Sequence, residues 1–225
     1  MLAGPPPTAP SRAEVGHAVV RRVLVPAVVL WLVVVGVGFL LVSVLALPEV
    51  GVNEALVRAR TPVWDTVSAV LSGLGTTEAL IGTCVVVVGL VWWRTRRWWF
   101  AVVPAIALTV QTAVFLTSSL VVGRERPDVP RLDQAPPTSG FPSGHSGAST
   151  AFYVACLLCA TRIRTPWLRV LVQVVCALVP LAVGAARVYR GMHFPSDVLA
   201  GFAVGITCAV IGWRWLPSTV PSRGR

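Results

Sequence analysis

Gly140-Phe-Pro-Ser-Gly-His-Ser146 and Ala186-Arg-Val-Tyr-Arg-Gly-Met-His-Phe-Pro-Ser-Asp197 each set one histidine among phosphate-friendly groups, at the point where a polar loop meets a long apolar run. Upstream, Arg124-Glu-Arg-Pro127 closes another apolar run. Three polar clusters therefore stand at the ends of apolar segments. Lipid-facing sequence has no need of such residues, which marks these boundaries as the place for chemistry.

Working outward, hydrophobic residues make up 55% of the 225-residue chain and charged residues only 12%. That leaves too little polar surface to solvate a globule, so the chain reads as an all-α, polytopic membrane protein. Apolar runs predict six transmembrane helices in a bundle, at about 24–47, 78–93, 98–121, 147–161, 167–186 and 197–215. The first run exceeds a signal-peptide core of roughly 7–15 residues and is read as an uncleaved span. Residues 1–22, carrying Pro5, Pro6, Pro7 and Pro10, read as a disordered tail. Residues 23–216 form the six-span domain, and 217–225 a second tail. Between the first two spans, Val63, Trp64, Val67, Val70, Leu71 and Leu74 recur at helical spacing, with Asp65, Thr66, Ser68 and Ser72 on the other face. This predicts an extra amphipathic helix at the membrane surface or against the bundle. The cysteines at 84, 156, 159, 176 and 208 fall in apolar runs and read as small packing residues.

The net charge of +10 comes from nineteen basic residues, all arginine, scattered among loops without interleaved aromatics. Nucleic acid is thereby excluded as a partner. Arg12, Arg21, Arg22, Arg94, Arg96, Arg97, Arg162, Arg164, Arg169, Arg214, Arg223 and Arg225 collect on one side of the predicted topology, and eight of the nine carboxylates on the other. The positive-inside rule then places both termini in the cytoplasm and all three polar clusters outside.

Within those clusters, His145 and His193 stand near Arg126, Arg187 and Ser143. Arginine offers a planar fork that matches phosphate oxygens, and a histidine pair can supply a nucleophile and an acid. Pro142-Ser-Gly-His145 precedes an apolar span, so helix N-terminal amides can meet an anion there, and Gly144 permits close approach. Asp197, four residues after His193, can hold the imidazole in one tautomer. The carboxylates Asp65, Asp128, Asp133 and Asp197 are dispersed, with no spacing suited to a metal, and no cofactor motif is present.

These residues resemble the type 2 phosphatidic acid phosphatases, membrane lipid phosphatases related to vanadium haloperoxidases and glucose-6-phosphatase. The family's first motif is lysine, six residues, then Arg-Pro; Arg126-Pro127 match it, with Ser119 at the lysine position. Pro142-Ser-Gly-His145 is the second motif intact. Arg187, His193 and Asp197 fall in register with the third, where Ala186 replaces serine. The resemblance implies a metal-independent phosphatase in which His193 attacks phosphorus, Asp197 assists and His145 protonates the leaving oxygen. It also implies that Arg126, Arg187, Ser143 and the Gly144 amide cradle the phosphate. Arg124 or Arg190 is expected to replace the missing lysine. The implied substrate is a lipid phosphate or polyprenyl pyrophosphate at the outer leaflet of the plasma membrane, such as undecaprenyl pyrophosphate, phosphatidic acid or phosphatidylglycerol phosphate. The alternative is a non-catalytic phospholipid-binding or lipid-moving protein of the same fold, though mere binding needs arginines and no nucleophile.

Overall fold

The computed structural model describes residues 9–45, 48–135 and 137–215, which form a bundle of helices. Residues 1–8 of the expected N-terminal tail, and the whole of the C-terminal one, lie outside the described residues. A continuous helix runs Arg12–Leu45 (α1). Its start corrects the expectation of a disordered tail through residue 22. Ser11 and Glu14 form a capping box, with Ser11 N donating to Glu14 Oε2 at 2.8 Å and Glu14 N to Ser11 Oγ at 3.3 Å. From Arg12 to Arg22 the chain holds no proline, so nothing interrupts the helix once it is capped.

Two short helices follow, Val50–Arg58 (α2) and Pro62–Gly73 (α3). The sequence reading does not anticipate α2, whose one buried residue is the polar Asn53 rather than an apolar stripe. α3 is the predicted amphipathic helix, with Thr61 Oγ1 accepting from Trp64 N at 3.3 Å and Pro62 in its first turn. Its polar face is the one that packs: Ser68 and Ser72 are buried, while Val63, Trp64 and Val70 are exposed.

The remaining long helices are Thr77–Thr95 (α4), Val103–Val122 (α5), Gly144–Ala160 (α6), Pro166–Tyr189 (α7) and Pro195–Arg214 (α8), with a single helical turn at Trp98–Ala101 before α5. Among the described residues, α1, α4, α5, α7 and α8 are long and apolar enough to cross a membrane. The sixth expected span, α6, has 17 residues. At a rise of about 1.5 Å each it reaches about 25 Å, short of the roughly 30 Å hydrocarbon core. It is the inner helix of the bundle, burying Ser146, Gly147, Ser149, Thr150, Ala151, Phe152 and Ala155 against its neighbours. The outer helices instead show lipid-compatible faces, such as Val85 and Val86 on α4 and Leu171, Leu178 and Leu181 on α7.

α8 crosses α6 at backbone contact. A Cβ at Gly205 would lie 2.6 Å from Gly147 O and 2.5 Å from Thr150 Cβ, so the small residue sets the approach of the two helices. At the end remote from the motifs, Trp215 Nε1 donates to Trp99 O at 2.9 Å and the Trp98 and Trp215 rings lie 6.0 Å apart. At the opposite end, the start of α6, the start of α8 and the loop after α5 come together.

Candidate active site

Backbone bonds tie the three sequence clusters into one site. Ser143 N donates to Asp197 O at 3.0 Å, joining the starts of α6 and α8. Gly140 N donates to Arg124 O at 2.7 Å and Leu132 N to Arg190 O at 3.1 Å, which fastens the 123–143 loop over the turn between α7 and α8. A cavity of about 450 Å³ opens beneath, with Arg126, Thr138, His145, Arg187 and His193 at its polar end. Leu80, Ile81, Leu108, Phe115 and Leu116 from α4 and α5 line the rest of it.

His193 is buried, and its Nδ1 lies 2.8 Å from Gly140 O. A carbonyl can only accept, so Nδ1 carries the proton and Nε2 keeps its lone pair. Nε2 lies 3.4 Å from Arg126 Nη1. Burial, then the charges of Arg126 and Arg187, hold the imidazole pKa well below its ordinary 6.5, so the ring is neutral near pH 7. Asp197 does not make the expected bond to the ring: its Oδ2 is 3.9 Å from His193 Nδ1. That oxygen accepts instead from Phe194 N at 2.8 Å, and Oδ1 accepts from Arg124 Nη1. The tautomer is set by a peptide oxygen, and Asp197 anchors the first turn of the helix that follows His193.

Two arginines enter the cavity. Arg126 Nη1 donates to Met192 O at 2.9 Å, and its Nη2 reaches Thr138 Oγ1 at 3.3 Å. Arg187 Nη1 donates to Ser72 Oγ and to Asp133 Oδ2, each at 2.8 Å. In both guanidinium groups the Nε is buried without a hydrogen-bond partner. Desolvation lowers the Arg126 pKa, the Arg131 charge adds to it, and the Asp197 charge opposes it. His145 is half-buried in the first turn of α6, where backbone amides have no intrahelical acceptor. Gly144 lines the cavity beside it, and a Cβ there would meet the Phe115 ring at 2.7 Å.

Three expected phosphate contacts are engaged elsewhere. Ser143 caps α6: its Oγ lies 2.9 Å from Ser146 Oγ, and its side chain is fully buried outside the cavity lining. Arg124 donates to Asp197, to Ser196 Oγ at 2.7 Å and to Glu49 Oε2 at 3.0 Å, with its guanidinium 4.7 Å from the Phe194 ring. Arg190 is held by Asp133, at 2.6 and 2.8 Å, and by Ser68 Oγ at 3.0 Å. Neither arginine stands in for the absent lysine, and Ser119 is itself buried, donating to Leu116 O at 3.0 Å.

Other residues of the site carry no sequence signal. Asn53 Nδ2 donates to His193 O at 3.1 Å and to Val188 O at 3.3 Å, pinning the peptide of His193 from α2. Glu49 accepts from Ser196 N at 2.8 Å. Asp133, from a loop whose composition fits a plain turn, bridges Arg187 and Arg190. The Arg190 hydrogen bond, more than any other contact, draws its carboxyl below the ordinary range.

Such a bundle, with imidazoles and guanidinium groups gathered at one end of its apolar helices, is a multi-pass membrane protein. Residues 98–220, more than half of the chain, match the PAP2 superfamily, and the chain belongs to that superfamily. Phosphatidylglycerophosphatase B of Bacillus subtilis (strain 168) is 27% identical over 158 residues, covering 69% of this chain and 76% of that protein. Decaprenylphosphoryl-5-phosphoribose phosphatase of Mycobacterium tuberculosis is 34% identical over 121 residues, 52% of this chain, which spans 61% of that protein's length. The fold is that of the crystal structure of a transmembrane PAP2 type phosphatidylglycerolphosphate phosphatase from Bacillus subtilis. The TM-score is 0.71 and the identity 21%, over 84% of this chain and 93% of the other. LpxE of Aquifex aeolicus gives a TM-score of 0.60 and 22% identity over 74% and 94%.

Proposed function

We propose that the chain hydrolyses a lipid phosphate or polyprenyl pyrophosphate through a phosphohistidine at His193. The observation that carries this reading is a neutral His193 imidazole, its Nε2 beside the half-buried Arg126, with the buried Arg187 lining the same cavity and the Nε of both guanidinium groups lacking a partner. Those groups suit the equatorial oxygens of a transferring phosphoryl group, whose charge must be balanced in the transition state. In the first step His193 Nε2 bonds to phosphorus, the P–O bond to the lipid breaks, and His145 gives its proton to the leaving oxygen. In the second, water attacks phosphorus, His145 takes a proton from it, and the P–N bond breaks to release inorganic phosphate. Arginines neutralise the charge, so chelators are expected to leave turnover intact.

The apolar walls of the cavity support a lipid substrate. Ile81 and Leu116 line it while being 54% and 47% exposed, so it opens sideways between α4 and α5 toward the surrounding lipid. Phosphatidic acid, phosphatidylglycerol phosphate and undecaprenyl pyrophosphate are the substrates to test. The arginine distribution supports cytoplasmic termini in the plasma membrane, with the site at the outer face and α6 as a sixth span.

The test is release of inorganic phosphate from these lipids in detergent micelles. His193→Ala should abolish it, and an acid-labile, base-stable phosphoenzyme should be trapped in the wild type alone. Undiminished turnover by His193→Ala would overturn the mechanism, and a wild type that binds lipid phosphates without turnover would favour the non-catalytic reading. Orientation is tested by an impermeant thiol reagent in intact cells. A single cysteine at Thr138 should label and one at Arg225 should not.

A further inference from the structure

The turn that carries His193 is held by a side chain that takes no part in that chemistry. Asn53, on α2, is 1% exposed, and its Nδ2 donates to His193 O at 3.1 Å and to Val188 O at 3.3 Å. Val188 lies in the last turn of α7 and His193 just before α8, so one amide joins the two ends of the turn. Glu49, four residues earlier and on the same face, accepts from Ser196 N at 2.8 Å and from Arg124 Nη2 at 3.0 Å. Val50 and Val52 are exposed, so the polar face of this segment is the one that packs.

Two main-chain acceptors beside one another call for a neutral group with two N–H donors, which the asparagine amide supplies. An ionised aspartate or a leucine offers none, and a serine one. The amide's own Oδ1 is buried without a partner, a cost that counts against a purely stabilising role. The His193 ring is fixed by Gly140 O, from the 123–143 loop, while Asn53 fixes the peptide from which that ring hangs. Asn53 does not line the cavity, so whatever it does for turnover passes through His193.

We infer that Asn53 is a positioning residue, clamping both ends of the 188–193 turn so that the imidazole stands in line for attack on phosphorus. The inference rests on the phosphohistidine reading above and adds to it a residue that touches neither the substrate nor the reacting atoms.

The experiment measures kcat and KM in detergent micelles, on whichever of the three lipids the wild type turns over, for wild type, Asn53→Leu and the isosteric Asn53→Asp. Thermal unfolding of the same preparations sets an assay temperature well below each transition. In both variants kcat should fall at least about tenfold while KM stays within about threefold, because a displaced imidazole slows attack without weakening the arginine contacts. In a single turnover the loss should fall on the rate of phosphoenzyme formation. Full kcat in either folded variant, with only the melting temperature lowered, would mark a merely structural residue and overturn the inference. A tenfold rise in KM with kcat intact would overturn it too, as would failure of both variants to fold. These outcomes leave the phosphatase reading standing. A wild type that turns over none of the lipids, or a His193→Ala variant that keeps turnover, would overturn that reading and the inference with it.

Discussion

Replacing Arg124 by alanine separates two roles that sequence alone would merge. As a phosphate ligand, Arg124 would govern substrate affinity. The structure gives it instead to Asp197, Ser196 and Glu49. Asp197 is fully buried and Arg124 only 10% exposed, so the substitution leaves a desolvated carboxylate without its cation. Breaking a buried pair from one side costs about 3–5 kcal/mol. For a chain of this size that corresponds to a fall in the detergent melting temperature on the order of 10 °C. Because Asp197 anchors the turn bearing His193, kcat should drop by at least tenfold while KM stays within about threefold. Arg124→Lys, which keeps a charge but not the fork, should recover part of both losses. The assays are thermal unfolding and steady-state phosphate release on the same preparation. A tenfold rise in KM with unchanged kcat and melting temperature would refute the positional role and return Arg124 to the phosphate.

Arg126→Gln should act the other way, raising KM by at least tenfold at little cost in stability, since that side chain lines the cavity. The pKa of His193 is depressed, so kcat/KM should hold level as pH falls from 8 to 6.5. Removing the Arg126 charge should move the acid limb upward, toward 6.5, because one of the influences lowering the ring's proton affinity is gone. A wild-type limb centred at or above 6.5 would contradict this. Asp133 has a lowered folded-state pKa, so its contribution to stability is present above its unfolded value of about 3.8 and lost as pH falls through the folded one. The melting-temperature gap between wild type and Asp133→Asn should therefore be open at pH 7 and narrow toward pH 3, whereas a constant gap would argue against the ion pairs. Gly205→Ala should destabilise by about 1–3 kcal/mol in thermal unfolding, because the new Cβ meets the backbone of Gly147, which cannot swing aside.

Long apolar runs made the membrane helices legible, since a bilayer leaves few other ways to satisfy the backbone. The three motifs likewise led to one end of one bundle. What escaped the sequence were contacts made across it. α2 buries no apolar side chain; the one it buries, Asn53, serves the peptide of a residue 140 positions away. The two faces of α3 were readable, but the partners of the polar one were not: Ser72 meets Arg187 and Ser68 meets Arg190. Arg124 lies two residues from Arg126 in an irregular loop, where spacing cannot say which way either side chain turns. The same holds for Asp197, four residues from His193, whose oxygens were claimed by Phe194 N and Arg124 before the imidazole could reach them.

The peptide oxygen of Gly140 that holds the His193 ring has a genetic consequence. No point substitution can delete a main-chain carbonyl, and none can titrate it. A mutational scan scored on tautomer loss would find no single position to blame. Sensitivity would shift to whatever shapes the path of the loop: Ser139, whose hydroxyl ties Arg124 O to Phe141 N, and the glycine itself, where a Cβ would press on Glu125 O at 3.0 Å. The orientation of the His193 ring is thus inherited from the course of the main chain. Side chains that do not shape that course can be exchanged while leaving the orientation untouched.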